Sequence, residues 1–154
     1  MSKSILLAIE TSSTICSAAV LEDNNCIAIK ESNSPMMHAE ILPIYVKEVI
    51  KNTNIKPNMI NAVAVSIGPG SFTGLRIGLS FAKGFAMAHS LPILPVPTMQ
   101  SIAFGLQKEK PLQGLLYSHG EFIFYQKYIW KDNIPDFIDK PMLEEGVKIC
   151  KKIN

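Results

Sequence analysis

Apolar and polar residues alternate in blocks along the first part of the chain. Compact apolar runs cover residues 5–10, 16–21 and 26–30, and short polar turns separate them. Three such runs with short links predict an antiparallel meander of three strands. Residues 37–52 change to a helical period, with apolar positions on more than one stripe, and Pro43 is expected to start or kink this helix. A helix that is apolar on two faces needs a second covering besides the sheet.

Strands and helices alternate in the next part of the chain. Residues 62–67 and 93–96 predict strands, and Ser71 and Thr98 are predicted to cap the helices that follow them. Such an alternation predicts parallel strands joined by crossover helices. Residues 1–108 are therefore predicted to form an α/β domain with a five-stranded mixed sheet.

The last third of the chain has a different pattern. Residues 115–118 and 122–130 predict an aromatic-rich hairpin, residues 132–140 a loop, and residues 141–152 a closing helix. We place the boundary between the two parts after residue 108, so that residues 109–154 form a second, shorter domain.

Composition narrows the class of protein. Of the 154 residues, 47% are hydrophobic and 18% are charged, and the formal net charge is +2 with Arg76 as the one arginine. Dedicated nucleic-acid-binding proteins carry a strong basic face, so this balance argues against that class. No uncharged apolar run reaches the roughly 18 residues of a membrane span, which favours the cytoplasm. The mean hydropathy of +0.19 is high and indicates a large interior or apolar surface that a partner covers.

The cysteines are odd in number and form no CxxC pair. Cys16, Cys26 and Cys150 are therefore predicted to be reduced thiols, and the first two are expected to be inert core residues because they lie in apolar runs.

A glycine-rich segment at residues 68–78 follows a predicted strand and opens a predicted helix. That position suits an anion, because free N–H groups and the helix dipole attract negative charge. Two standard phosphate loops do not fit. No Gly-Lys-Ser/Thr is present, and Thr73 stands at the third glycine of the dinucleotide fingerprint. One interpretation is an anion held by Gly68, Gly70, Ser71 and Arg76.

Close helix packing is the other interpretation of this segment. Small residues recur every four positions and share one helix face: Gly74, Gly78, Ala82 and Ala86. Small side chains let another element approach closely, either in the core or from a partner.

Six segments carry a resemblance to a known family. They are residues 9–12 (IETS), 16–20 (CSAAV), 38–43 (HAEILP), 68–78 (GPGSFTGLRIG), 82–86 (AKGFA) and 91–93 (LPI). Their order and spacing closely resemble the TsaB family, also called YeaZ, over about residues 4–106. The resemblance implies the actin-like ATPase (ribonuclease H-like) fold. It also implies a role in forming threonylcarbamoyladenosine beside the anticodon of tRNAs that read codons beginning with A.

The same resemblance implies a non-catalytic scaffold. In that family the chain binds a related catalytic subunit, TsaD, which holds ATP and the metal; the ATPase TsaE joins them, and tRNA is contacted only through the complex. Self-association through the same two helices is also implied. The residues expected at the partner contact are Ile41, Leu42, Tyr45, Gly74, Gly78 and Ala82. No catalytic residue, metal ligand or cofactor is assigned to this chain.

Two enzymatic alternatives share the fold. A glycoprotease-type metallopeptidase needs an HxxxH pair, and the comparable residues 97–103 contain no histidine. A small-molecule kinase needs phosphate loops that the chain lacks. Glu10 stands where related ATPases place an acid, but the usual aspartate and glycine are missing, so we expect it to cap or bridge loops instead. Beyond residue 106 the likeness fades, and the second lobe is expected to be abbreviated.

Overall fold

The computed structural model describes residues 3–153; residues 1–2 and 154, the outermost positions of the two expected domains, lie outside the described residues. The chain forms two compact units. The first comprises Met1–Ile67 and Ser71–Val96, and the second comprises Gly68–Gly70 and Pro97–Asn154. The division falls before the third helix, whereas the sequence placed it after that helix. The assignment of two lobes at residue 108 stays a prediction.

The first unit is a five-stranded mixed sheet with two helices. Its elements are β1 (Ile5–Glu10), β2 (Ile15–Glu22), β3 (Asn25–Asn33), α1 (His38–Thr53), β4 (Ala62–Ser66), α2 (Phe72–His89) and β5 (Ile93–Val96), with a short 3-10 turn at Pro57–Met59. The sheet order is β3-β2-β1-β4-β5. Strands β1, β2 and β3 pair antiparallel, and β1, β4 and β5 pair parallel. The predicted meander and mixed sheet are confirmed.

The core of this unit is built from alternate strand residues and one stripe of each helix. Leu7 and Ile9 of β1 are buried, as are Val63 and Val65 of β4. Helix α1 adds residues spaced by about one turn, and α2 adds its small residues: His38, Leu42, Val46 and Val49, then Gly74, Gly78, Ala82 and Ala86. Both periods are those that bury one face of a strand or helix.

Three local predictions for the helices have different outcomes. Ser71 caps α2 as predicted, since its Oγ accepts the backbone N–H of Gly74 at 3.2 Å. Pro43 was expected either to start or to kink this helix. It does not start it, because α1 begins at His38 and Pro43 lies inside the helix. Thr98 is not a cap: Pro97 holds that position and Thr98 is the first helical residue of the third helix.

The second unit is a four-stranded antiparallel sheet with two short helices. Its elements are α3 (Thr98–Gly105), β6 (Gln113–His119), β7 (Phe122–Lys131), β8 (Ile134–Phe137), β9 (Met142–Glu145) and α4 (Gly146–Ile153). The long strand β7 pairs with the other three strands. The core of this unit is Met99, Ala103 and Tyr128, packed against Leu116, Phe124, Trp130 and Phe137.

The aromatic hairpin was predicted correctly, but the region after it was not. Residues 132–140 contain strand β8 where a loop was expected, and the expected helix over 141–152 begins as strand β9. Both strands are only four residues long, so an alternating pattern has little room to show in the sequence. They form because β7 offers them a long edge to pair with.

The cysteine predictions hold in part. Cys16 is fully buried, whereas Cys26 lies exposed on the edge strand β3, which corrects the expectation of a core thiol. Cys150 is also exposed.

Candidate functional site

The small-residue face of α2 packs on this chain's own loop. Gly74 and Gly78 are buried, and a Cβ on either of them would overlap with Thr11, the first residue after β1. Ala82 is fully buried in the same core. These three residues were expected at the partner contact; here they are buried within the first unit, and their role at a partner contact stays a prediction. Of the two interpretations, close packing within the core is the one observed.

Hydrogen bonds lock that loop onto the start of α2. The Thr11 hydroxyl donates to the carbonyl oxygen of Gly74 at 2.8 Å, and Thr11 is fully buried. The backbone N–H of Ser71 donates to the carbonyl oxygen of Ser12 at 2.7 Å. The glycines are therefore required because a threonine side chain and its backbone occupy the space next to the helix.

The expected contact residues on α1 also face inward. Leu42 is fully buried, and Ile41 and Tyr45 are half-buried against the core of the first unit. Tyr45 lies under the ammonium of Lys30, whose nitrogen is 6.0 Å from the ring centroid. Ile41 and Tyr45 keep part of their surface in solvent, and their place at a partner contact stays a prediction.

Several groups of the predicted anion turn have partners within the chain, and the turn itself stays a prediction. The N–H of Ser71 is already used by Ser12, and the exposed Arg76 lies over the ring of Phe72, 3.9 Å from its centroid. Gly68 and Gly70 belong to the second unit, where the Gly68 carbonyl accepts the N–H of Thr98 at 2.9 Å. Gly68 has φ +100, which explains why a glycine stands there.

Glu10 bridges two loops, one of the two roles expected for it. One carboxylate oxygen accepts the N–H of Ser12, and the same oxygen accepts the hydroxyl of Ser66 at 2.9 Å. This ties the end of β1 to the end of β4. Together with burial, the larger effect, the Glu10 charge raises the pKa of Cys16 to about 11. Cys16 is therefore protonated, and inert, at neutral pH.

A groove between α1 and α2 lies open at the surface of the first unit. It has two adjoining stretches, with volumes of about 620 Å³ and 500 Å³, that share Pro43 and Phe81. We call it the α1–α2 groove. The stretch at the end of α1 is lined by Pro43, Val46, Lys47, Ile50, Lys51, Asn54, Ile55, Pro57, Phe81 and Phe85. The stretch at the start of both helices is lined by Ala39, Leu42, Pro43, Phe72, Thr73, Arg76, Ile77, Ser80 and Phe81.

Most of these lining residues were missed at the level of sequence. Of the six expected contact residues, Leu42 alone lines the groove, at its floor. The signal that could have found the others is their spacing, since Ala39, Pro43 and Lys47 follow one another by one turn of α1. Phe72, 68% exposed at the start of α2, is a large apolar side chain left in solvent.

Two other kinds of feature are absent from the part of the chain that the structure describes. Within residues 3–153, no group of three or more His, Cys, Asp or Glu side chains could hold a metal ion. No helix in that part of the chain is long and apolar enough to cross a membrane.

Comparisons with known proteins place this architecture in a class. The model of the family described as TsaD, tRNA N6-adenosine threonylcarbamoyltransferase, matches residues 32–141. The structure of YeaZ from Pseudomonas aeruginosa superposes with a TM-score of 0.84 at 23% identity, covering 92% of this chain and 68% of that one. The fold is thus the actin-like, ribonuclease H-like α/β fold of the threonylcarbamoyltransferase relatives.

Curated relatives narrow the class to one family. The tRNA threonylcarbamoyladenosine biosynthesis protein TsaB of Haemophilus influenzae is 36% identical over 64% of this chain and 41% of that protein. The TsaB of Buchnera aphidicola subsp. Acyrthosiphon pisum is 27% identical over 96% of this chain and 71% of that protein. The chain belongs to the TsaB (YeaZ) family. It spans about two fifths of the length of the first of these relatives and about seven tenths of the second.

Proposed function

We propose that this chain takes part in forming threonylcarbamoyladenosine in tRNA as a non-catalytic subunit that binds a TsaD-like catalytic subunit. The names of the TsaB relatives support the pathway, and the match to the TsaD family model supports a related partner. The single observation that carries the binding role is the α1–α2 groove, an open apolar channel between two helices of the first unit.

The shape of the groove suits helices of a partner. Its walls are two neighbouring helices, and the residues along each wall recur at about one turn, as in the contact face of a helical bundle. Ile50, Ile77 and Phe81 are only partly buried, so a partner helix would remove apolar surface from water. Small residues such as Ala39 and Ser80 leave room for its side chains.

The chemistry is assigned to the partner. ATP and the metal are proposed to bind the TsaD-like subunit, a TsaE-like ATPase to join the pair, and tRNA to be contacted through the assembled complex. A net charge of +2 supports the last point, since phosphate contacts would need more basic residues on one face.

A bulky residue in the groove provides the test. Ser80→Trp places an indole at an exposed lining position of α2, and Lys83→Trp is the matched control, exposed on the same helix outside the groove lining. Co-purification with the TsaD-like subunit of the same cell should be lost with Ser80→Trp and kept with Lys83→Trp. Modification of tRNA by the reconstituted subunits should likewise be lost with Ser80→Trp and kept with Lys83→Trp. A bulky residue at Gly78 would not serve, because it would overlap with Thr11 and destabilise the fold.

Three results would contradict the proposal. The Ser80→Trp variant could still co-purify with the TsaD-like subunit, or tRNA could be modified equally well without this chain. Tight stoichiometric binding of ATP to the isolated chain, measured by titration calorimetry, would favour the kinase alternative instead. Size measurement of the chain alone tests whether a second copy uses the same helices.

A further inference from the structure

Strand β6 is an edge strand that carries neither a charged residue nor a proline. The other edge strands of the described chain all carry one or the other, with Glu31 on β3 and Pro95 on β5 in the first unit. In the second unit, Pro135 stands on β8 and Glu144 on β9. Such residues hinder the addition of a further strand to a sheet. Strand β6 spans the seven residues Gln113–His119 without an aspartate, glutamate, lysine, arginine or proline.

The backbone of β6 leaves alternate residues with open hydrogen-bonding groups. The N–H of Tyr128 donates to the carbonyl oxygen of Leu112 at 2.8 Å, next to the first pair of the β6–β7 ladder. Because bonded and non-bonded pairs alternate along an antiparallel ladder, the bonds to β7 fall at Gly114 and Leu116. The residues whose N–H and C=O groups face away from β7 are Gln113, Leu115 and Tyr117. No other strand in the described part of the chain pairs with β6.

The side chains beside this open edge are apolar and exposed. Leu115 is 53% exposed and Tyr117 is 67% exposed, and the two lie on the same face of the sheet. Leu116, on the other face, packs against the core of the second unit. A second strand along this edge would therefore satisfy open backbone groups and remove Leu115 and Tyr117 from water, while the core stays as it is.

We propose that the edge of β6 binds the same edge of a second copy of this chain, as an antiparallel pair around a two-fold axis at Leu116. In this register Leu115 of each copy lies opposite Tyr117 of the other, and both residues have open backbone groups. An aliphatic side chain opposite an aromatic one stabilises a pair of strands. No like charges meet along the contact, because β6 carries no aspartate, glutamate, lysine or arginine.

The second copy is the occupant that the pattern of β6 favours. A foreign strand would have to bring its own complementary pattern, whereas a second copy supplies it by symmetry. Each copy uses its one open β6 edge, so the assembly closes as a dimer and does not grow further. The contact lies in the second unit, separate from the α1–α2 groove of the first, and the inference therefore goes beyond the proposed function.

The mass of the chain in solution provides the first test. A contact of one strand pair is small, so association in the micromolar range is expected. Size-exclusion chromatography with light scattering should give a mass near twice the 17.0 kDa of one chain at about 100 µM, and a mass near one chain at about 1 µM.

Charges placed beside the edge assign the contact to β6. Leu115→Lys and Tyr117→Glu should each weaken dimerisation at least about tenfold. Ile134→Lys is the matched control, because Ile134 is 56% exposed on β8 of the same unit, and it should leave the dimer unchanged. Both β6 side chains are exposed, so the variants should fold, and urea unfolding of each variant checks this.

Mixing the two β6 variants tests the register. In the mixed pair, the lysine introduced at position 115 lies opposite the glutamate introduced at position 117, and one native contact of Leu115 with Tyr117 remains. An equimolar mixture should therefore dimerise at least about fivefold more tightly than either variant alone. A mixture no tighter than the single variants would exclude this pairing.

Other results would overturn the inference as a whole. The native chain could keep the mass of one copy at about 100 µM, or its dimer could survive both Leu115→Lys and Tyr117→Glu. A dimer that dissociates in Ser80→Trp and persists in Leu115→Lys would place the second copy at the α1–α2 groove instead. Open assemblies larger than a dimer would contradict a closed two-fold pair.

Discussion

Adding one methyl group at Gly78 tests how tightly the first loop is held against α2. A Cβ at this position would overlap with the hydroxyl oxygen of Thr11. That hydroxyl donates to the carbonyl of Gly74 at 2.8 Å, and Thr11 has no exposed surface. The side chain cannot turn away without giving up its hydrogen bond, so Gly78→Ala forces either a shift of the loop or a buried polar group without a partner.

The size of the effect follows from three contributions. Alanine favours the helix over glycine by about 1 kcal/mol. Overpacking a tight core costs about 1–3 kcal/mol, and an unsatisfied buried hydroxyl costs a similar amount. Because the loop shift and the unsatisfied hydroxyl are alternatives, one of these costs less the helix gain applies, and we expect Gly78→Ala to lower the free energy of unfolding by up to about 2 kcal/mol. At Gly84, on the same helix, a Cβ meets nothing within 4 Å, so Gly84→Ala should raise the free energy of unfolding by about 0.5–1 kcal/mol.

Urea unfolding followed by circular dichroism measures both changes, and the Thr11→Ala background identifies the cause. Once the hydroxyl is gone, the nearest remaining atom to a Cβ at Gly78 is the Thr11 Cβ at 3.4 Å, an ordinary contact. Gly78→Ala should then cost much less than in the native background, and the double-mutant cycle should show a coupling of at least about 1 kcal/mol. Equal stabilisation by Gly78→Ala and Gly84→Ala, or additive effects with Thr11→Ala, would refute the packing argument.

Two further changes test other parts of the molecule. Because burial and the nearby carboxylate raise the pKa of folded Cys16 from 9.0 to about 11, its contribution to stability is present below about pH 9 and lost between about pH 9 and 11. Urea unfolding of the native chain between these pH values should show that loss of stability, and the Cys16→Ala variant should lack it. A loss of equal size in the native chain and the variant would contradict the assignment to Cys16. Tyr128→Phe removes a hydrogen bond of 3.0 Å to the Met99 carbonyl, so the same assay should show about 1 kcal/mol less stability; an unchanged value would argue against that bond.

Much of the first unit could be predicted from the sequence, because its elements are long enough to show a period. The compact apolar run of β1 and the helical spacing of α1 both show in the sequence, and the observed elements agree with the predicted ones within a residue or two at most ends. Strand β8 could not be predicted in this way. Its four residues include Pro135 and Asp136, which are unfavourable in strands, and Ile134–Phe137 becomes a strand through its pairing with β7.

The sequence by itself determined which residues on α2 are small, that they share one helix face, and to which family the segment belongs. It could not determine what that face packs against, because a close approach by a partner helix and by the chain's own loop require the same glycines. Only the tertiary structure decided this, by bringing Thr11 next to Gly74 and Gly78, residues distant from it along the chain. The same arrangement leaves an open groove on the next stripe of each helix, lined by Lys47, Arg76 and Ser80 among others, and this groove is the surface that we propose for a partner.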